Sequence, residues 1–259
     1  MKFVAPLVRA TLVRRYKRFL ADVALEGGEV VTAHCPNSGS MLSVNAVGAE
    51  VWLSPAAGAK RKLPYTWELI RLGDELVGIN TGRPNPLVAE AIVAGAIPEL
   101  AGYDRIRREV RYGRNSRIDL LLEAPDRPTC LVEVKNVTMN RQPSRRIVEF
   151  PDCVTARGTK HLNELADAAA AGRRAVMLFL AQRGDADGFV IADDLDPGYA
   201  TALERAADAG VEMLSYRCAV NTDWIRINRP MTFMGRSSAI GRFSALDSRS
   251  FPVAGCSHE

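Results

Sequence analysis

Only five cysteines occur in 259 residues, at positions 35, 130, 153, 218 and 256, and no two form a Cys-x-x-Cys pair. Histidine is equally scarce, with three in the chain. Odd, scattered cysteines exclude a disulfide framework, and the ligand spacing excludes a structural zinc. Buried thiols in a reducing, cytoplasmic setting are the expectation. No apolar run approaches the roughly 20 residues that a membrane helix needs; a typical clean stretch is Ala175 to Ala181. Arg9, Arg14 and Arg15 arrive before any apolar signal core, so no secretion signal is expected. No repeat of fixed period is present.

What is present is an ordinary globular mixture, 47% apolar and 25% charged, enough for one large or two modest domains. The net charge of +4 is unevenly placed. Residues 1–84 hold 11 basic and 7 acidic groups, residues 85–222 hold 18 and 20, and residues 223–259 hold 5 and 3. The positive excess therefore lies at the two ends, and the middle must be read for local clusters.

The first 80 residues read as β. Leu12 to Leu25 forms one long extended run, and Val30 to His34, Glu50 to Leu53, Tyr65 to Leu72 and Glu75 to Asn80 are shorter strands between Gly-rich turns. About five short strands of this kind suggest a small barrel. Arg14, Arg15, Tyr16, Lys17 and Arg18 interleave cations with an aromatic, which suits either a nucleic-acid strand or a strand with solvated charges. The Asn-Thr-Gly-Arg-Pro-Asn-Pro stretch at 80–86 is the best boundary. Beyond it come a helix at about Leu87 to Ala94 and strands at Ile118 to Leu122 and Cys130 to Val134. A helix from Lys160 to Ala171, a buried strand from Ala175 to Ala181, a helix at Tyr199 to Ala209 and a strand at Val211 to Cys218 follow. This is an α/β domain with a mixed sheet. From Gly235 the chain turns Ser- and Gly-rich without periodicity. Residues 231–259 are expected to form a mobile tail.

The chemistry centres on Asp119 and the run Glu133-Val-Lys135. Strand alternation puts Glu133 and Lys135 on one face and Val132 and Val134 on the other, buried one. Asp119 lies 14 residues earlier, in reach as the hairpin partner. Two carboxylates on neighbouring strands can hold Mg²⁺ or Mn²⁺ as metal ligands, with the lysine orienting a water or neutralising a phosphate. The alternative is a buried Glu133–Lys135 pair with Asp119 capping a turn. Arginines flank the trio, Arg117 among them, and Arg157, Lys160 and His161 open the next helix, where backbone N–H groups and cations meet phosphate.

Longer motifs carry a resemblance. Arg15-Tyr-Lys-Arg-Phe-Leu-Ala-Asp22, His34-Cys-Pro-Asn-Ser-Gly-Ser-Met41, Arg61-Lys-Leu-Pro-Tyr-Thr-Trp-Glu68 and Gly113-Arg-Asn-Ser-Arg-Ile-Asp119 are among them, with Val132-Glu-Val-Lys-Asn-Val-Thr138 and Thr155-Ala-Arg-Gly-Thr-Lys-His-Leu162. With these the chain resembles the sugar fermentation stimulation protein A family over nearly everything up to about residue 230. The resemblance implies an OB-like barrel over 1–84 and a PD-(D/E)xK nuclease-like mixed-sheet domain over 85–230. It implies DNA as partner, bound with little sequence specificity, and a link to regulation of sugar (maltose) utilisation. The nuclease motif maps onto Asp119, Glu133 and Lys135, with Glu90 and Gln182 at the positions of the helix acid and of the polar residue after the next strand. The leading expectation is a DNA-binding protein. A metal-dependent DNA phosphodiesterase is the alternative, and a sugar-sensing module, for which the residues show no sugar site, is a weaker one. The oligomeric state is left open, a homodimer included.

Overall fold

The computed structural model describes residues 1–56, 62–112 and 116–240. Six strands come first: β1 (Val8–Tyr16), β2 (Leu20–Leu25), β3 (Val30–His34), β4 (Glu50–Pro55), β5 (Tyr65–Leu72) and β6 (Glu75–Gly78). β1 pairs antiparallel with β2 and β4, β2 with β3, and β4 with β5. A short parallel pairing of β3 with β5 closes the barrel, and β6 extends β5 as a hairpin. The inward side chains include Leu12, Val23, Ala33, Leu53, Trp67 and Ile70, all essentially inaccessible. Each of the larger aliphatic side chains among them contributes about 1.5–3 kcal/mol by leaving water.

The expected single run from Leu12 to Leu25 is corrected: it is the hairpin β1–β2. Lys17 and Arg18 adopt φ of 46° and 60°, a left-handed turn whose polar residues carry no Gly or Asn signal.

The remaining elements are α1 (Pro84–Val93), β7 (Arg105–Tyr112), β8 (Ser116–Ala124), β9 (Arg127–Val137), β10 (Ile147–Phe150), α2 (Ala156–Ala170) and β11 (Arg174–Ala181). They continue with β12 (Gly188–Ile191), α3 (Pro197–Asp208), β13 (Glu212–Val220), β14 (Ile225–Pro230) and β15 (Thr232–Arg236). One mixed sheet has the order β14-β13-β11-β9-β8-β7, with β11 parallel to both β9 and β13. β10, β12 and β15 form a small parallel sheet. One face of the large sheet packs on α2 and α3 through Met177, Phe179, Leu162, Leu165 and Leu203. The other face packs on α1 through Val132, Val134, Leu178 and Leu87, and this core runs on to Trp52 and Leu69 of the barrel. The fold is thus an OB-like barrel followed by a PD-(D/E)xK nuclease-like mixed-sheet domain.

The three helices are anchored at their starts. α2 begins at Thr155, whose Oγ1 accepts from the Gly158 N–H at 3.1 Å. Buried Asp196 accepts from Tyr199 N at 2.9 Å to cap α3 and from Thr155 N at 2.8 Å, so one carboxylate fixes both helix starts. Gly158 fits there because an added Cβ would lie 2.9 Å from the capping Thr155 side chain and 3.0 Å from the Tyr199 ring. α1 starts on Pro84 with no side-chain cap, a place where the missing N–H of proline is no loss.

The tail expectation is corrected for 232–240. β15 pairs with β12, and a 3₁₀ turn follows at Ser237–Ile240. Ser237 Oγ donates to Asp193 at 2.6 Å. Residues 241–259 of that expectation lie outside the described residues, as do Arg61 and Gly113, Arg114 and Asn115 of the motifs. Among the described residues no helix is long and apolar enough to cross a membrane.

Candidate active site

Between β8 and β9 the ladder opens beside Asp119. The two strands are in register from Leu122↔Cys130 to Leu120↔Val132, and the pairing stops there. The next N–H along β9, that of Val134, donates to Asp119 Oδ2 at 2.8 Å instead of to a β8 carbonyl. A side chain has replaced a backbone acceptor, so the strands splay without leaving a buried N–H unpaired. On the outer side of β8, Glu109 of β7 takes φ of 53° and interrupts the pairing of Arg108↔Leu120 with Val110↔Ile118. The register is unchanged on either side, so Glu109 and Asp119 are the two unpaired residues facing each other across β7 and β8. Asn85 of α1 then donates to Asp119 Oδ1 at 2.8 Å and to Glu109 Oε1 at 3.3 Å.

Glu133 and Lys135 share the α2 side of β9, as alternation requires. Lys135 Nζ donates to Glu133 Oε1 at 2.8 Å. His161 Nδ1 bonds the same oxygen and lies 3.4 Å from Lys135 Nζ. Glu133 is 4% exposed. Burial pushes its carboxyl up, but the His161 and Lys135 contacts outweigh this and hold it below the usual glutamate value. Asp119 goes the other way. Burial and the neighbouring Glu133 charge raise it to about 6, against the lowering pull of Val134 N–H, Asn85 and Lys135.

Those two carboxylates are a donor set for a hard divalent cation. Like charges force one acid upward, and a cation between them relieves the repulsion. No hydrogen bond among the described residues engages Glu133 Oε2. No group of three or more His, Cys, Asp or Glu side chains converges among the described residues. A cation here rests on two carboxylates, which suits Mg²⁺ or Mn²⁺ keeping several waters.

The other expected site residues are placed differently. Glu90 is not brought to Asp119: its Oε1 pairs with the N-terminal ammonium at 2.8 Å. Five residues separate it from Asn85, which turns it to another face of α1. Gln182 is fully buried where the barrel meets the sheet, its Nε2 donating to Asn80 O and Asn136 Oδ1. It joins the barrel to the sheet and does not contact the carboxylates. His161 is 8% exposed and turned to Glu133, not to a phosphate-facing surface. Arg157 and Lys160 are exposed at the start of α2. Arg157 Nε donates to His161 Nε2 at 3.5 Å, and Lys160 lies 3.7 Å from Glu164. Arg117 is exposed on β8.

In the barrel, Arg14 Nε donates to Asp22 at 2.7 Å and its guanidinium covers the Tyr16 ring at 4.8 Å. Tyr16 Oη donates to the same aspartate. Arg15 is taken up by the carbonyls of Arg18, Asn37, Gly39 and Ser40. Arg18 donates to Ser38 O at 3.3 Å, and Lys17 is free among the described residues and exposed. The best cationic surface is therefore the turn, Lys17 and Arg18 with half-exposed Phe19, and not the strand before it. A polar cleft lined by Asn37, Thr81, Asn136, Thr138, Phe150 and Asp152 opens between barrel and sheet, one residue along β9 from Lys135.

Sequence reasoning missed Asn85 and Glu109. Asn85 was legible only as part of a Pro-rich boundary, and Glu109 only as one acid within an arginine run.

A barrel of OB type joined to a nuclease-like mixed sheet with an Asp, Glu and Lys at its splayed strands defines the class. Two family models match in the same order: "SfsA N-terminal OB domain" over residues 13–79 and "Sugar fermentation stimulation protein RE domain" over 82–224. The chain belongs to the sugar fermentation stimulation protein (SfsA) family. It is 59% identical over 231 residues to a sugar fermentation stimulation protein homolog of Rhodospirillum centenum, covering 89% of this chain and 98% of the relative. A homolog from Paramagnetospirillum magneticum is 57% identical, over 90% of this chain and 97% of the relative. The solved structure of Pyrococcus furiosus SfsA in complex with Ca²⁺ superposes with a TM-score of 0.81 at 26% identity, over 90% of this chain and 97% of that one.

Proposed function

We propose that this protein binds DNA through its phosphates and hydrolyses a phosphodiester bond with a divalent cation held by Asp119 and Glu133. The observation that carries this reading is the coupled acid pair. Asp119 is lifted to about 6 beside Glu133, on strands that separate at that point. Each Asp119 oxygen has one neutral donor, Asn85 or Val134 N–H, and no cationic side chain bonds it among the described residues. The Ca²⁺ in the P. furiosus relative supports a divalent cation.

A bound Mg²⁺ supplies Lewis-acid polarisation of the phosphoryl group and a more acidic water. The chain's own groups do the rest. Val134 N–H and Asn85 fix the Asp119 carboxylate, so it needs no reorganisation. Lys135 stands within reach of both Glu133 and the opening, where its ammonium stabilises charge that develops on the phosphate. Arg157 and Arg117, both exposed, supply cations for the flanking phosphates.

The test is incubation of plasmid and linear DNA with purified protein in Mg²⁺, Mn²⁺ or EDTA. Cleavage in the metal buffers, absent in EDTA and absent from Asp119→Ala and Lys135→Ala, is the expected result. Equal residual activity in all three proteins would assign the cleavage to a contaminant and remove the reading.

A further inference from the structure

Beyond the trio lies a buried histidine that bonds the catalytic glutamate, and its geometry gives it a task. We infer that His161 is a positioning residue: it holds Glu133 in its cation-facing rotamer independently of Lys135, and Arg157 in turn holds His161. The inference rests on the phosphodiesterase reading above.

Glu133 Oε1 accepts two donors, Lys135 Nζ at 2.8 Å and His161 Nδ1. An ionised carboxylate only accepts, so the proton of that imidazole contact belongs to Nδ1. Nε2 is then the acceptor for Arg157 Nε–H at 3.5 Å. The partners on both sides thereby specify one tautomer and one ring orientation. The helix that carries the ring is anchored at its start by Thr155, Asp196 and the close packing of Gly158.

Lys135 is a long, rotatable side chain whose proposed task is to face a phosphate. When it turns away from Glu133, that carboxylate loses one of its two donors. His161, 8% exposed on a fixed helix, keeps the other. Oε2, which no hydrogen bond engages among the described residues, is thereby left for the cation. Arg157 reaches the histidine from the exposed rim of the site, so the residue nearest the DNA path and the residue holding the cation share one hydrogen-bonded line. Partners of metal-holding carboxylates typically change metal affinity or activity by about 10–100-fold when removed.

The experiment uses the full chain and variants His161→Ala, His161→Asn, His161→Gln and Lys135→Ala, titrated calorimetrically with Mn²⁺ without DNA and then assayed for kcat and KM. His161→Ala is expected to weaken Mn²⁺ by about 10–100-fold and to lower kcat while KM for DNA changes little. Asn, whose amide nitrogen falls where Nδ1 lies, is expected to restore affinity to within a few-fold, and Gln is not. Lys135→Ala is expected not to weaken Mn²⁺, because His161 still holds Glu133. Wild-type Mn²⁺ affinity in His161→Ala, or an Asn variant no better than Ala, overturns the inference while leaving the phosphodiesterase reading in place. A wild-type protein that binds no Mn²⁺ overturns both.

Discussion

Two aspartates, one in each half of the molecule, have their acidity moved in opposite directions. Asp22 in the barrel receives Arg14, Tyr16 and Thr32, and these donors hold its carboxyl below the usual value. Asp119 in the sheet is half-buried, receives Asn85 and Val134 N–H among the described residues, and lies near the Glu133 charge, so it rises to about 6. The same contrast holds for glutamates. Glu68 is 2% exposed inside the barrel's join to α1, yet Ser54, Asn80 and Arg83 give its two oxygens four hydrogen bonds. The barrel uses its charges to close itself. The sheet keeps one pair of like charges together, with only a neutral donor on each Asp119 oxygen, which is stable because the surrounding fold enforces it. Glu68 has two donors on each oxygen, a guanidinium among them, whereas Asp119 has one neutral donor on each and a second carboxylate beside it.

That comparison breaks most visibly at Asp119. Asp119→Asn is expected to cut metal-dependent DNA cleavage at least about a hundredfold, measured by nicking of supercoiled plasmid, since it removes a proposed ligand charge. The same substitution is expected to raise the stability of the metal-free protein at pH 7 by about 2 kcal/mol in urea unfolding, because the strained charge is gone. Arg83→Met tests the barrel's opposite character. It leaves Glu68 buried without its cation and is expected to lower stability by about 3 kcal/mol.

A smaller effect separates the two aspartates by pH. Between about pH 4 and 6 the native state keeps the Asp119 proton that the unfolded chain has lost, so stability falls as pH rises through that window. Asp22 acts with the other sign: its contribution is present above about pH 4 and is lost as pH falls further. Stability curves of Asp119→Asn should be flatter between pH 4 and 6, and those of Asp22→Asn flatter below 4. Smallest of all is the barrel turn. Lys17→Ala with Arg18→Ala is expected to reduce the log–log salt slope of DNA binding by about 0.9 for each phosphate no longer neutralised. Removal of Arg15 should instead disturb the 37–40 loop whose carbonyls it holds.

Much of this was readable before any coordinates. Period-two alternation placed Glu133 with Lys135 and buried Val132 and Val134, because a strand offers only two faces. Glycines at 172 and 210 marked the helix ends, each with positive φ in the fold. What escaped has physical causes. β7 is an edge strand with arginine at four of its eight positions, and Arg108 interrupts the alternation of Ile106, Val110 and Tyr112, so the apolar signal is weak. The Lys17–Arg18 turn takes a left-handed backbone with residues that do not announce it. Asn85 reaches Asp119 only because α1 is docked on the sheet, and His161 meets Glu133 across 28 residues of sequence. Tertiary contacts of that kind leave no local signal. The same reason explains why Glu90 and Gln182, correctly placed along the chain, are directed elsewhere in space.

The central claim is that Asp119 and Glu133 together hold a divalent cation. A crystal soaked in Mn²⁺ and measured near the manganese absorption edge tests it most directly. The account predicts an anomalous peak within bonding distance of an Asp119 and a Glu133 oxygen, about 2.1–2.3 Å away by the usual hard-cation geometry, that disappears in Asp119→Asn. No peak there at saturating Mn²⁺, with both carboxylates ordered as described, would contradict it.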